Sequence, residues 1–507
     1  MQTTVNPRRK LLFWRVEREF PGCPPEILAS YPTVHPIVEA EANEPCIVVV
    51  GEYSVSMGLD AVSSLIWLFC DGQHSVEDIA KYVADTYEID PQEARTDVIA
   101  AIGFLISMNL MEGDDAFIAN CPDLVVKKQI MLPGGCKSAD SPLRSPTQIN
   151  WDINRDCNCR CRYCYVSADS NPSEPPIELD RAKYLADMYA DSGVWEVFIS
   201  GGEPLLHPNF WEILEYTRNK GITVSLVSNG HLMDAEAAAR LKEVGINKVQ
   251  ISLDSADPDI HDDLRQSLGS HEKALKAVKH LLEAGIFATT STTVTKANYA
   301  GAADCIKLAM SIGSRGHTLR RAFTVGRART EISSLAIEAK ELAEMAEQLY
   351  NRQSEWQGKI RVTANDPLVG FASGSAIGDS GGADFAHTGC RAARSEVYVT
   401  QNGDLYPCPF LPIPIGNLFQ DSLIDLWNSA HLQQVREETA IVTESCMNCN
   451  LLPLCVDQCK GFTYSAFNTF DHRDPVCLRD VEQRIPQLVK EALNMTGAVR
   501  RFATDTK

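Results

Sequence analysis

The sequence predicts an α/β fold in which a parallel sheet is flanked by two smaller units. The main observation is a regular alternation of strand-like and helix-like segments from Thr147 to about residue 330. Because a helix follows each predicted strand, successive strands should run parallel and be joined by right-handed crossovers. A short run of strands and then helices precedes this region, and a cysteine-rich region follows it.

Composition limits the class of protein and its partners. A chain of 507 residues with 44% hydrophobic residues and a mean hydropathy of −0.15 predicts a globular protein of two to four domains. No apolar run could span a bilayer, and the first residues lack the apolar core of a signal peptide, so we expect a cytoplasmic protein with no membrane partner. The net charge of −20 argues against nucleic acid as the main partner.

The first unit, residues 1–115, reads as two strands followed by three helices. The segments 45–50 and 53–57 are strand-like, and helices are predicted over 61–70, 75–87 and 91–108. This arrangement predicts a small winged-helix-like domain. A domain that only adds stability and a DNA-binding domain are the alternatives. Between Cys46 and Gly113 there are eleven acidic residues but only Lys81 and Arg95, which argues against DNA.

Residues 116–146, rich in Pro, Gly and Ser, are predicted to be a linker before the alternating region. The predicted strands of that region are 147–153, 195–200, 222–228, 247–253, 286–294 and 318–325. The predicted helices are 179–192, 209–219, 234–244, 271–284 and 300–312. An acidic helix over 331–350 is expected to follow.

Three cysteines in C-x3-C-x2-C spacing directly follow the first predicted strand. Cys157, Cys161 and Cys164 share one short loop with Tyr163. Three thiolates can hold three irons of a 4Fe–4S cube and leave the fourth iron open to a ligand. Zinc is the alternative, but a structural zinc site needs four ligands, and Cys159, close between two others, is poorly placed to be the fourth.

A second motif, Gly201-Gly202-Glu203-Pro204, ends the second predicted strand. Paired glycines allow a ligand to approach the backbone, and a neighbouring carboxylate can accept hydrogen bonds from an ammonium group. Because active sites of barrel-like sheets lie at the carboxyl ends of their strands, this motif and the cysteine loop should be neighbours.

Together, the cysteine loop and the Gly-Gly-Glu-Pro motif resemble those of the radical S-adenosylmethionine (SAM) enzymes. The resemblance implies a partial (β/α)6 barrel of the TIM type, and a cube whose open iron binds SAM. It also implies that SAM is cleaved to a 5′-deoxyadenosyl radical that abstracts hydrogen from the substrate. The implied SAM contacts are Tyr163, Gly201, Gly202, Glu203, Pro204, Ser252 and Asp254.

Other polar residues near strand ends are weaker candidates. Asn229 could either contact SAM or only form a turn, and Arg265 belongs to a stretch that resembles a family segment. Arg320, Arg321 and Arg327 could meet the SAM carboxylate or an acidic peptide side chain, although an ordinary salt bridge is the alternative for each. No catalytic residue can be assigned from the sequence.

The cysteine-rich region, 390–485, carries seven further cysteines after a predicted linker over 346–389. Two zinc sites are the alternative reading of its C-x2-C pair. The order and spacing of the seven resemble the SPASM extension of radical SAM enzymes, which implies two auxiliary 4Fe–4S clusters and three in all. Auxiliary cluster I would use Cys390, Cys408 and Cys459, and auxiliary cluster II would use Cys446, Cys449, Cys455 and Cys477. The first has no fourth cysteine, so it has either an open iron or an unusual ligand, for which Asp384 and His387 are weak candidates.

The N-terminal unit resembles PqqD-like precursor-peptide recognition domains through Leu65–Gly72, Val76–Ile79 and Val98–Leu110. The resemblance implies that a leader peptide adds as a strand at a sheet edge. Residues 147–345 would then be the SAM barrel and 486–507 a C-terminal tail.

These resemblances predict a maturase that cross-links a ribosomally made precursor peptide, through a thioether or a carbon–carbon bond. A flavodoxin- or ferredoxin-type protein would supply electrons. The alternatives are a peptide epimerase, a formylglycine-forming sulfatase maturase and, from another class, an iron–sulfur winged-helix regulator.

Overall fold

The computed structural model describes nine ranges of the chain, which are residues 13–16, 20–25, 47–50, 56–107, 111, 143–246, 248–374, 390–455 and 459–494. The chain divides into two compact units, of which the first ends at Arg144 and the second begins at Ser145. Most of the linker predicted over 116–146, the end of the linker predicted over 346–389, Asp384 and His387 lie outside the described residues.

The first unit contains a three-stranded antiparallel sheet and three helices. Its strands, in spatial order, are β1 (Phe13–Val16), β2 (Ile47–Val50) and β3 (Ser56–Leu59). Its helices are α1 (Ala61–Phe69), α2 (Val76–Tyr87) and α3 (Pro91–Ser107). The two predicted strands do pair, but β1, which pairs with β2, was not predicted.

Local sequence signals explain these helices. Asp60 accepts a hydrogen bond from the Ser63 amide at the start of α1, and Ser75 and Asp78 form a capping box at the start of α2. On α3, the apolar stripe Ala94, Val98, Ile102 and Leu105 is fully buried against the core of this unit.

The second unit is built on a ten-stranded sheet that does not close. Its spatial order is β10-β9-β8-β7-β6-β5-β4-β11-β12-β13, and all neighbours from β10 to β11 are parallel. The strands are β4 (Gln148–Asn154), β5 (Glu196–Gly201), β6 (Thr223–Ser228), β7 (Lys248–Ser252), β8 (Phe287–Val294), β9 (Gly316–Arg321), β10 (Arg361–Ala364), β11 (Glu396–Val399), β12 (Asp404–Tyr406) and β13 (Gly416–Asn417).

Helices follow most of the strands of this sheet. Those of the alternating region are α4 (Leu179–Asp191), α5 (Phe210–Asn219), α6 (Ala235–Val244), α7 (Pro258–Arg265), α8 (Ser270–Glu283), α9 (Ala302–Ser311), α10 (Ala328–Leu335), α11 (Ala339–Arg352) and α12 (Pro367–Ala372). Those of the cysteine-rich region are α13 (Leu423–Trp427), α14 (Ala430–Ala440), α15 (Glu444–Met447), α16 (Leu452–Cys455), α17 (Lys460–Phe467) and α18 (Leu478–Glu482).

The six predicted strands form the middle of this sheet, which confirms an α/β partial barrel. The sheet is longer than predicted, because β10 comes from the predicted linker and β11 to β13 come from the cysteine-rich region. The predicted helix over 331–350 is instead two helices, α10 and α11. Ala336 has an extended backbone, and Glu338 begins α11 with its own capping box.

The strands alternate between an apolar and a polar face. On β5, for example, Val197 and Ile199 are fully buried, while Glu196 and Ser200 point to the opposite face. We call that opposite face the inner face. Its polar residues include Gln148, Asp152, Asn154, Glu196, Ser200, Ser225, Lys248, Ser252, Thr318, Arg320, Arg361, Glu396 and Tyr398.

A search of the described helices for a membrane span found none that is both long and apolar enough.

Candidate functional site

The cysteine loop lies directly after β4 and is fixed by its own backbone and by neighbouring loops. The Cys157 amide donates to the carbonyl of Asp169 (2.9 Å), and the Arg162 amide donates to that of Leu264 (3.0 Å). From the segment after β9, the Arg327 guanidinium donates to the carbonyls of Cys161 (2.7 Å) and Ala168 (2.6 Å). Arg327 therefore holds the loop in place through charged hydrogen bonds.

The thiols of this loop are gathered in one contact cluster. Cys157, Cys159 and Cys161 are buried, and Cys164 is half-buried beside them. Hydrogen bonds with Cys157 and Cys161 raise the pKa of Cys159, and the bond from Cys159 lowers the pKa of Cys161 to about 6. Burial raises the pKa of Cys164 to about 11. The sequence placed Cys159 outside the ligand set, and in the structure its thiol lies beside those of Cys157 and Cys161.

The Gly-Gly-Glu-Pro turn packs tightly against the start of the cysteine loop. Gly201 has φ +120°, and a Cβ there would lie 2.3 Å from the Asn154 carbonyl oxygen. At Gly202, a Cβ would lie 2.0 Å from the carbonyl oxygen of Asp156. Both glycines are thus required for the approach of the protein's own backbone.

Glu203 is fully buried, and its carboxylate bridges β5 and β6. It accepts hydrogen bonds from the Ser228 hydroxyl (2.9 Å) and the Asn229 amide (2.8 Å). Burial raises the pKa of Glu203 to about 7. In the structure Glu203 and the buried Pro204 fix the turn, and the contact of Glu203 with the SAM ammonium group stays a prediction.

Asn229, one of the weaker candidates, reaches the cysteine loop. Its side-chain amide donates to Asn158 Oδ1 (2.6 Å) and approaches Cys157 Sγ (3.7 Å). Its Oδ1 also accepts a hydrogen bond from the His231 amide (2.9 Å), so Asn229 does form a turn, and its contact with SAM stays a prediction.

Asp254 joins four elements around the cysteine loop. Its carboxylate accepts hydrogen bonds from the Tyr163 hydroxyl, from Arg265 Nε (2.6 Å) and from the Thr293 amide (2.9 Å). Arg265 in turn approaches Cys161 Sγ (3.6 Å). Asp254 is only 1% exposed, so its carboxylate presents no free oxygen to a ligand. Its hydrogen bonds orient Tyr163 and Arg265.

Asp152 was not among the sequence candidates, although it lies on the polar side of the first predicted strand. Its buried carboxylate accepts hydrogen bonds from the hydroxyls of Tyr165 (3.1 Å), Ser200 (2.9 Å) and Tyr398 (2.5 Å). Burial raises the pKa of Asp152. The alternation of the strand was the signal for it, since it placed a carboxylate on the inner face.

The seven later cysteines separate into two groups. Cys446, Cys449, Cys455 and Cys477 line one small cavity, with Arg473 and Arg479 beside it. Arg479 Nε donates to Cys449 Sγ (3.2 Å).

The other group is Cys390, Cys408 and Cys459. Burial raises the pKa of Cys408, and the nearby Cys390 and Cys459 raise it further, which places the three thiols close together. This division is the one that the resemblance implied.

The donor sets fit clusters of iron and sulfur. The groups contain only cysteines, whose thiolates are the usual ligands of 4Fe–4S cubes. Within the described residues, no three His, Cys, Asp or Glu side chains converge on a single metal ion.

The fit to SAM depends on groups next to the loop that keep some contact with solvent. Of the seven predicted contacts, these are Tyr163, Gly201, Gly202 and Ser252, whereas Glu203, Pro204 and Asp254 are buried.

Family models match three parts of the chain. The radical SAM superfamily model matches residues 151–301, an iron–sulfur cluster-binding domain model (SPASM) matches 390–450, and the model of coenzyme PQQ synthesis protein D (PqqD) matches 46–110. These matches lie on the sheet and cysteine loop, on the later cysteines and on the N-terminal unit.

Similar proteins include enzymes of two kinds. The AdoMet-dependent heme synthase of Nitratidesulfovibrio vulgaris is 27% identical over 66% of this chain and 93% of its own. The mycofactocin maturase MftC of Mycobacterium tuberculosis is 27% identical over 69% of this chain and 86% of its own. Streptococcus suis SuiB, solved bound to its precursor peptide SuiA, superposes with a TM-score of 0.56 at 15% identity, covering 84% of this chain and 95% of SuiB.

Proposed function

We propose that this chain, a radical SAM enzyme with a SPASM domain and a PqqD domain, is a maturase that cross-links a ribosomally made precursor peptide. The observation that carries the proposal is the combination, in one chain, of the cysteine loop, two further cysteine groups and a PqqD domain. The similarity to MftC and to SuiB, which was solved with a precursor peptide, supports a peptide partner.

In this proposal the cysteine loop holds the catalytic cluster. Cys157, Cys161 and Cys164 would bind three irons of a 4Fe–4S cube. The cluster and SAM, when bound, supply the chemistry that removes a hydrogen atom from a carbon of the substrate. Arg327 fixes the loop carbonyls and Arg265 places a positive charge near Cys161, so these two residues stabilise a thiolate-rich loop.

Four partly accessible residues are proposed to contact SAM directly. They are Tyr163, Gly201, Gly202 and Ser252. Glu203, Pro204 and Asp254 act indirectly, since they are buried and engaged with neighbouring strands. Asp254 orients the Tyr163 ring through its hydroxyl.

The two later cysteine groups are proposed to bind auxiliary 4Fe–4S clusters. Cys390, Cys408 and Cys459 would hold auxiliary cluster I, and the group lining the small cavity would hold auxiliary cluster II. Cross-linking removes two hydrogens from the peptide, so it needs an electron acceptor, and clusters so placed could serve as one. A flavodoxin- or ferredoxin-type protein is the proposed source of electrons.

The N-terminal unit, residues 1–115, is proposed to bind the leader of the precursor. It contains a small antiparallel sheet, and an extended peptide can add to the edge of such a sheet through main-chain hydrogen bonds. The barrel (147–345) and the cysteine-rich region (390–485) would then carry the chemistry.

A second candidate substrate is a tetrapyrrole, because several similar proteins are AdoMet-dependent heme synthases. The PqqD domain favours the peptide. Incubating the anaerobically reconstituted enzyme separately with each substrate class, SAM and reductant would decide between them.

Mass spectrometry of the peptide product tests the type of modification. A cross-link removes two hydrogens, about 2 Da, whereas an epimerisation leaves the mass unchanged in ordinary water and incorporates deuterium in heavy water. Conversion of Cys or Ser to formylglycine would identify a sulfatase maturase. Either of these last two results would replace the cross-linking proposal while retaining the radical SAM assignment.

A further inference from the structure

Arg320 is a cation on the inner face of the barrel without a partner in the part of the chain that the structure describes. It lies on β9, where alternation directs His317, Leu319 and Arg321 to the buried outer face and Arg320 to the inner face. Among the described residues, no side chain or carbonyl forms a hydrogen bond or ion pair with its guanidinium. A charged group of this kind is usually paired when protein surrounds it.

The surroundings of Arg320 show that it stands in a recess and not on the outer surface. Part of its side chain is exposed to solvent, yet burial lowers the pKa of Arg320. The nearby Glu396 raises this pKa and Arg391 lowers it. Arg320 is the fifth of the six residues of β9, so it lies near the carboxyl end of the strand, the end of the sheet that carries the cysteine loop.

Other cations gather on the same face. Burial lowers the pKa of Lys248, and the positive charges of Arg361, Arg320 and Arg391 lower it further, while Glu196 raises it. The nearby acids are already engaged. Glu196 accepts hydrogen bonds from Gln148 (3.1 Å) and Ser225 (2.5 Å) and lies 4.0 Å from Lys248.

Glu396 is the other acid of this face, and it lies 3.5 Å from Arg391. Each of the two glutamates therefore has its own nearby cation, while Arg320 forms no ion pair with an acid among the described residues. The inner face consequently has an excess of positive charge in a recess that solvent reaches. Such an arrangement attracts an anion.

We propose that Arg320 forms a binding site for a carboxylate of the substrate segment that enters the barrel. The inference rests on the proposed function and adds a substrate class, a peptide that presents a carboxylate near the reacting carbon. The carboxylate comes either from an acidic side chain or from the C-terminus of the peptide. A guanidinium suits both, because its parallel N–H groups match the two oxygens.

Small amide-blocked probes test the site without knowledge of the precursor. N-acetylglutamate α-amide presents a side-chain carboxylate, and N-acetylglycylglycine presents a C-terminal one. N-acetylglutamine amide and N-acetylglycylglycine amide are their neutral counterparts. Ligand-observed NMR would give the affinity of each probe for the reconstituted enzyme in the presence of SAM.

We expect at least one carboxylate probe to bind about tenfold more tightly than its neutral counterpart, as expected for a charged hydrogen bond. This preference should disappear in Arg320→Gln and return in part in Arg320→Lys. The matched control is Arg315→Gln, which removes the same charge from an exposed residue just before β9 and should keep the preference.

Each outcome has a definite meaning. If Arg320→Gln loses the preference for just one of the two carboxylate probes, that probe identifies the source of the carboxylate. An equal preference in Arg320→Gln, or weaker SAM binding with an unchanged preference, would overturn the carboxylate site. Formation of 5′-deoxyadenosine in the presence of a candidate precursor peptide is measured in parallel. Its absence in the unaltered enzyme would overturn the proposed function, whereas its presence with no carboxylate preference overturns only this inference.

Discussion

At the scale of single residues, the site depends on side chains that hold the cysteine loop without being ligands. Arg327 bonds two loop carbonyls, Asp254 bonds Tyr163 and Arg265, and Glu203 bonds the strand end that carries Asn229. Such outer residues commonly influence metal affinity almost as strongly as the ligands themselves. Two of them lead to direct tests.

Arg327→Gln should weaken the cysteine loop. The substitution removes charged donors from the carbonyls of Cys161 and Ala168, each worth about 1.5–3 kcal/mol. We expect the reconstituted protein to lose up to one cluster, about four irons per chain. Iron analysis would measure the loss, and Arg329→Gln, at an exposed residue, is the control. Full iron content in Arg327→Gln would show that the loop does not depend on this residue.

Glu203 should make stability depend on pH. Its pKa is raised by burial to about 7 from 4.5, so the folded state binds a proton more readily than the unfolded one. This contribution to stability is complete below pH 4.5 and is lost as the pH rises through 7. The melting temperature of the wild type should therefore fall relative to that of Glu203→Gln between pH 5.5 and 8. If the melting temperatures of the two proteins change in parallel across that range, Glu203 is not a buried carboxyl that binds a proton in the folded state.

At the scale of elements, the tight turn after β5 places the Gly-Gly-Glu-Pro motif against the cysteine loop. The amides of Gly202 and Glu203 donate to the carbonyls of Asn154 and Asp156, at 2.9 and 2.7 Å. The sequence predicted that the two motifs are neighbours because both follow strands. It did not show that the glycines accommodate the loop itself, since that contact depends on the exact pairing of β4 with β5.

Gly202→Ala should disrupt the loop, because its Cβ would lie 2.0 Å from the Asp156 carbonyl oxygen, a backbone atom that cannot move alone. We expect loss of the iron bound by the loop, measured by iron analysis and absorbance after reconstitution. The control is Gly301→Ala, where a Cβ meets open space and should change stability by about +0.5 kcal/mol at most. Equal iron contents in the two variants would refute this role of Gly202.

At the scale of the whole second unit, the cysteine-rich region shares the sheet of the barrel. Its β11 pairs directly with β4, and Tyr398 on β11 bonds Asp152 on β4, 246 residues away in sequence. The sequence predicted the six central strands and the cysteine groups, because strand periodicity and spacing are local signals. It could not predict β10 or β11 to β13 as part of the sheet, since the pairing of short strands depends on partners that are distant in sequence.

A buried ion pair also links the barrel to the loop before Cys477. Arg321 on β9 donates to both oxygens of Asp474, at 3.1 and 2.8 Å, and lies 3.4 Å from Asp366. Of the roles considered from the sequence, the structure supports the salt bridge for this arginine.

Arg321→Ala should lower the free energy of unfolding by about 3–5 kcal/mol, because two buried carboxylates lose their cation. Arg321→Met combined with Asp474→Asn should be less damaging, since it removes one of those charges as well. Thermal unfolding under anaerobic conditions would rank the variants. If the double variant is less stable than Arg321→Ala, the ion pair is not what links the barrel to the loop before Cys477.

The most direct test of the central claim couples SAM cleavage to the peptide. A candidate precursor with its leader, and the same peptide without the leader, are each incubated anaerobically with reconstituted enzyme, SAM and reductant. We predict that 5′-deoxyadenosine forms together with a peptide lighter by two hydrogens, and that both fall sharply without the leader. An unmodified peptide, with 5′-deoxyadenosine formed equally with and without it, would contradict the assignment of this enzyme as a maturase of that peptide.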